Sequence, residues 1–175
     1  MKKTVLTFGL ISGAIMMAMM LISMMLNKNN CASDTSMIVG YSTMVLAGIL
    51  IFVGVKSYRD NQQNGVITFG RAFKVAALIA LVSSLVYVAV WMVLSYTVYS
   101  DFMEQYANVM IEKAKASGLT PEELAAKKAE MEQMKEWYKN PLLRAGMTFL
   151  EPLPVGLILS LLSALILKRK EKVAA

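Results

Sequence analysis

Four long stretches of this chain carry almost no charge, and that segregation constrains the fold more than any other feature. Val5 to Leu26, Met37 to Val55, Val75 to Val98 and Leu142 to Leu167 each approach or exceed the roughly 20 apolar residues that a helix needs to cross a ~30 Å hydrocarbon core. In lipid every backbone N–H and C=O must be satisfied within the segment or a closed barrel, so stretches of this length take the helical state. The charges fall in blocks beside and between them. What remains outside the spans is too small and too charged to build a second core. Residues 1–175 therefore read as one all-α domain, an integral membrane four-helix bundle.

Lys and Arg number 18 against 12 Asp and Glu, for a net charge of +6. The basic residues sit at span ends rather than along one face with interleaved aromatics, which argues against nucleic acid as a partner. Lys2 and Lys3 begin the chain, Lys56, Arg59, Arg71 and Lys74 face Asp60 alone in the middle, and Lys168, Arg169, Lys170 and Lys172 close it. An even number of spans puts these three blocks on one side, and the positive-inside rule makes that side cytoplasmic. Both termini are then cytoplasmic, while loop 27–35 and segment 99–141 face outward. Arg59, Arg71 and Lys74 are the expected anchors at the cytoplasmic interface. Asn64-Gly65 signals a turn, and Thr68 is placed to cap an interfacial lead-in to span 3 in which Phe69 and Phe73 lie at headgroup level. Arg144 is expected to snorkel at the outer interface.

The first apolar run is longer than the core of a signal peptide and lacks a small-x-small cleavage site, so it reads as a true span. Cys31 is the only cysteine and histidine is absent, which excludes an intramolecular disulfide and removes the commonest metal ligand and general base. With no nucleophile set beside a base, an enzyme is not expected, nor is a cofactor. Gly9 and Gly13 form a small-xxx-small pattern suited to close helix packing. Met16, Met20 and Met24 repeat every four residues. A thioether stripe can bind Cu(I), but with no His or Cys to complete a site it reads as flexible core filling, and no metal is expected. Ser12, Ser42 and Thr43 on spans 1 and 2, and Tyr87 and Trp91 in the aromatic end of span 3, are the polar groups available at depth.

Beyond span 3 the pattern turns amphipathic. Phe102, Tyr106, Val109 and Met110 recur at helical spacing until Ser117-Gly118. Thr120-Pro121-Glu122-Glu123 then gives a capping box with proline at the first helical position, and Met131, Met134 and Tyr138 form one stripe before Asn140-Pro141. The expectation is an extracytoplasmic helical hairpin over about 101–138, between spans 3 and 4.

Span 4 contains Phe149-Leu150-Glu151-Pro152-Leu153-Pro154-Val155-Gly156. Counted from Leu142, Glu151 lies about 13 Å into the ~30 Å core. Pro152 and Pro154 cannot donate to the carbonyls of Thr148 and Leu150, and Glu151 and Leu153 each precede proline, so the expectation is a break with both residues driven out of helical dihedrals. An acid at such a junction is either a structural hydrogen-bonding group or a proton or ion site. Glu151, Pro152, Pro154 and Tyr87 are the candidate site residues.

Asn64-Gly65-Val66-Ile67-Thr68-Phe69-Gly70-Arg71-Ala72-Phe73-Lys74, together with the segment around Glu151, strongly resembles a bacterial membrane protein family catalogued as domain of unknown function 4199. The resemblance covers nearly the whole chain and implies a four-span protein of the bacterial cytoplasmic membrane, with no activity, cofactor or catalytic residue to carry over. Two functions remain open. One is a non-enzymatic scaffold or accessory subunit that binds another membrane protein or a second copy of itself within the lipid bilayer. The other is a proton- or ion-linked transporter or channel component centred on Glu151.

Overall fold

The first three apolar stretches each form one long helix in the computed structural model, which describes residues 1–26 and 34–169. They are α1 (Lys2–Leu26), α2 (Asp34–Gln62) and α3 (Phe69–Thr97); α4 (Phe102–Ala116) and α5 (Pro121–Lys139) follow, and the fourth stretch is divided into α6 (Pro141–Leu150) and α7 (Pro152–Leu167). Taken with α6 and α7 as one unit, four helices are long and apolar enough to cross a membrane. The architecture is an all-α bundle. Loop 27–33 with Cys31, the side chains of Asp34 and Ser36, and the tail lysines Lys170 and Lys172 lie outside the description.

α2 and α3 are each 29 residues long, about 43 Å of helix against a ~30 Å hydrocarbon core. The excess lies at the ends they share. α2 runs past Val55 to Gln62, and the lead-in to span 3 is the first two turns of α3 rather than a separate element. Asn64 and Gly65 adopt left-handed φ values of 50° and 79°, and the Gly65 N–H returns to the Arg59 carbonyl at 3.0 Å, ending α2. Thr68 caps α3 by accepting from the Arg71 N–H at 3.4 Å, and the Phe69 and Phe73 rings stack one turn apart at 6.2 Å.

Around the bundle, α1 packs on α2 and α3, α7 packs on α2 and α3, and α2 also touches α3. The α1–α3 seam is close. A Cβ added at Gly9 would stand 2.6 Å from Val82, and one at Gly13 would stand 2.7 Å from Val86. Only hydrogen leaves room for that approach, and it brings Ser83 Oγ within 3.2 Å of the Gly9 carbonyl. Ser12 Oγ donates across to the Ala47 carbonyl of α2 at 3.0 Å. Small residues and hydroxyls joining helices are the usual adhesive where lipid removes the hydrophobic drive.

One end of the bundle gathers both ends of the described chain. The Met1 ammonium reaches Gln62, whose amide donates to Thr4 Oγ1 at 2.7 Å. Ile67 and Arg169 exchange two backbone hydrogen bonds of 3.1 and 2.9 Å. Above this terminal end lies an apolar core in which Ile51, Val55, Val75, Ala76 and Ile79 are all at most 3 % exposed.

The opposite, distal end carries α4 and α5. Gly118, at φ 74°, ends α4, and the Thr120–Glu123 capping box with Pro121 starts α5. The two helices pack on each other, burying Met103, Ala107, Ala114 and Met131. Asn140 then caps α6 by accepting from the N–H groups of Leu142 (2.9 Å) and Leu143 (3.4 Å), with Pro141 at the first helical position.

Candidate functional site

Pro152 and Pro154 lack the N–H groups that would continue the ladder, and the helix is interrupted there. The interruption is smaller than the prolines alone imply. Glu151 keeps helical dihedrals, φ −69° and ψ −57°, and Leu153 lies within α7, so the expected excursion of both residues from helical backbone does not occur. Proline's own φ near −65° suits a helix, and helix packing on either side offsets the clash with the preceding residue. The junction loses hydrogen bonds without unwinding. Pro152 is buried against the bundle while Pro154 faces outward.

The outcome is to direct Glu151 toward α3, where the buried Tyr87 hydroxyl donates to its Oε2 at 3.1 Å. Both residues line a cavity of about 260 Å³ in the distal half. α1 contributes Met16, Met19, Met20 and Met24, one per turn or nearly so, and α2 contributes Tyr41, Thr43 and Met44. Phe102 and Tyr106 of α4 lie against it from the distal end. Glu151 is the only Asp, Glu, Lys or Arg among the described residues that line it. Burial, above all, pushes the Tyr106 phenol up from its ordinary value, so it is neutral at physiological pH.

Below the cavity, Met16, Met44 and Tyr87 pack with Met17 and Ala47. On the far side of Met16 and Met44 is a void of about 20 Å³ lined by Ser12, Ser83, Ser84 and Pro152, room for roughly one water. Beyond it comes the apolar core of the terminal half. The acid therefore lines the distal cavity and has tightly packed aliphatic side chains on its other side.

A second polar assembly closes the distal end. Arg144 was expected to snorkel outward, but it is only 8 % exposed. Its guanidinium lies between the rings of Tyr96 and Tyr138, 4.4 Å from each centroid. It donates to the Tyr138 carbonyl at 2.8 Å and to Ser95 Oγ at 3.1 Å. Trp91, a possible partner for Glu151 on sequence grounds, instead donates its indole N–H to the Tyr138 hydroxyl at 2.8 Å and meets Phe102 edge-on at 4.9 Å. Burial chiefly raises the Tyr138 phenol, against the opposing Trp91 hydrogen bond and Arg144 charge. Together these contacts fix α5 and α6 to α3, and thereby fix the roof of the cavity.

The other sequence-derived candidates are distributed as follows. Thr43 reaches the cavity, bonded to the Val39 carbonyl at 2.8 Å, whereas Ser42 faces outward. Gly9 and Gly13 lie in the α1–α3 seam. At the terminal end Arg59 pairs with Asp60 at 2.7 Å and also reaches the Leu167 carbonyl at 3.5 Å, Arg71 bonds Gln63, and Lys74 is exposed. Met44, Tyr41 and Tyr106 were not anticipated as wall residues. The methionine spacing of α1 was visible, but nothing in the sequence says which face meets Glu151. Among the described residues no group of His, Cys, Asp or Glu could hold a metal. The backbone positions of Met16, Met20 and Met24 step about 6 Å apart along the axis, and all three side chains line the cavity.

A family model described as a protein of unknown function, DUF4199, matches residues 7–169. No curated protein and no solved structure matches the chain.

Proposed function

The chain belongs to the DUF4199 family, and from that premise and the chemistry of its cavity we propose that it is a non-enzymatic membrane protein whose working group is Glu151. In this reading it takes up a small ligand in the distal half of the bundle and couples occupancy to the proton on that carboxyl. The observation that carries it is the placement of Glu151 and Tyr87 on the wall of a 260 Å³ cavity. Intramembrane acids are costly, and those at water-filled cavities serve proton or ion chemistry.

The packed terminal half supports a binding or accessory component over a continuous pore, since Ile51, Val55, Val75 and Ile79 leave no space there. With the basic blocks cytoplasmic, the cavity lies in the extracytoplasmic half of a bacterial cytoplasmic membrane. A scaffold would rely on the outer helical hairpin and on small-residue faces other than Gly9 and Gly13, which are used within this chain.

The infrared carboxyl band of the protein in lipid nanodiscs, wild type against Glu151→Gln, tests the proposal. A band that is absent in the variant should titrate between about pH 4 and about pH 9 in the wild type. A Glu151 band constant across that range would make the acid structural and overturn the reading.

A further inference from the structure

We infer that the cavity binds a small organic cation with an apolar body, an aryl-alkyl ammonium of either the quaternary or the protonated amine kind, with the Glu151 carboxylate as its counter-charge. The inference rests on the reading of the cavity as the working site and adds the class of ligand. Size sets the first bound. At ~30 Å³ per water, 260 Å³ is the space of about nine waters. It admits one aromatic ring with a substituted ammonium head.

Charge sets the second. The described lining residues present one carboxyl and no Lys or Arg, so an anion would meet like charge without a counter-ion. The remaining wall is what a desolvated cation favours. Tyr41, Tyr87, Phe102 and Tyr106 come from three helices, and their ring faces carry the negative quadrupole that attracts ammonium groups. Tyr106 stays a neutral phenol, so its ring acts as a face and its hydroxyl as a donor or acceptor. Met19, Met20, Met24 and Met44 fill the gaps with flexible, polarizable thioethers, the side chains that let one surface fit ligands of varied shape. Tyr41 is 54 % exposed while also lining the cavity, which puts it at the rim.

Binding of a cation favours the ionised carboxyl, so it releases the Glu151 proton, and affinity rises with pH as that group deprotonates. Among the described residues, the other titratable groups around Glu151 are the phenols of Tyr87 on α3, Tyr41 on α2, Tyr106 on α4 and Tyr138 on α5. Lys113, Lys127 and Glu130 act on Tyr106 from α4 and α5. None of these three lines the cavity.

The test uses the full chain in nanodiscs with methyl-labelled methionine, titrated with benzyltrimethylammonium and, separately, with its uncharged carbon analogue neopentylbenzene. Saturable shifts are expected at the Met20, Met24 and Met44 methyls and not at Met103 or Met131, which are buried between α4 and α5. Glu151→Gln should weaken binding by about tenfold or more, the scale of one close charge pair in a partly desolvated site. The neutral analogue should bind wild type at least about tenfold less tightly, a comparison that needs no variant to fold. Equal affinity for the two ligands, unchanged affinity in Glu151→Gln, or equal shifts at Met103 and Met131 would each overturn the inference. If the Glu151 carboxyl band titrates in ligand-free protein while no cation binds, only the ligand class fails. If the band is also constant, the proposed function fails with it.

Discussion

Replacing Gly13 by alanine puts a number on the α1–α3 seam. The new Cβ would lie 2.7 Å from Val86 Cβ, 2.8 Å from Val86 Cγ1 and 3.0 Å from the Ser83 carbonyl. Carbon pairs rest at about 3.5–4.0 Å, so the seam must open by about 1 Å. Neither neighbour gives way easily, since Val86 is branched at Cβ and Ser83 presents backbone. Overpacking of this kind costs about 1–3 kcal/mol. Opening also stretches the 3.2 Å bond from Ser83 Oγ to Gly9, of the class that contributes about 0.6 kcal/mol in a membrane. Alanine returns up to about 1 kcal/mol through helix propensity, which leaves a net loss of about 1–2 kcal/mol. Gly146, with nothing within 4 Å of its added Cβ, supplies the control, where alanine keeps the propensity gain alone. Unfolding in mixed micelles by SDS, followed through tryptophan fluorescence, should separate the two variants by about 2–3 kcal/mol. A Gly13→Ala protein as stable as Gly146→Ala would refute the seam. So would a changed oligomeric state at unchanged monomer stability, which would assign the glycines to an interface between copies.

Arg144→Lys should lower stability by about 1–3 kcal/mol in the same titration, because an ammonium cannot stack between Tyr96 and Tyr138 while reaching both the Tyr138 carbonyl and Ser95; wild-type stability in the variant would mean the sandwich is incidental. At the start of α5, the Thr120 backbone N–H and then its hydroxyl hold the Glu123 carboxyl below its usual value. A depressed folded-state pKa means the cap's contribution is present above the ordinary glutamate range and lost as pH falls through the depressed value. The Thr120 amide should therefore lose hydrogen-exchange protection only in acid, and Glu123→Gln should abolish that pH dependence. Thr120→Ala should accelerate exchange in the first turn of α5 by about fivefold, and an unchanged rate would show that the box does not hold the turn.

The elements of this fold that depend on composition and local chemistry were legible in the sequence. Length and apolarity gave the four long helices, Asn64-Gly65 gave the turn before α3, and Thr120-Pro121-Glu122-Glu123 gave the start of α5, because each is decided within a few residues. The junction at Glu151 was located correctly and its severity overestimated. Proline's missing donors are local facts, whereas the backbone angles of Glu151 are set by how α6 and α7 both pack on α3. Arg144 illustrates the same limit. Its distance from the span's start places it near an interface, but its burial depends on Tyr138 returning from α5 and Tyr96 projecting from α3. The cavity was least legible, since it arises where the methionine face of α1, Met44 of α2 and the acid of the last span meet, and no periodicity records that convergence.

The paired backbone hydrogen bonds between Ile67 and Arg169 bear on how the chain is assembled. They join segments about a hundred residues apart in synthesis, and Arg169 follows the final helix. Until α7 has been translated and inserted, Ile67 faces no partner, the Arg59 guanidinium has no Leu167 carbonyl to reach, and Ala80 lacks the neighbour that Gly156 presents to it. The clasp therefore cannot close before α7 is in place, and a chain cut before α7 would lack these three contacts together.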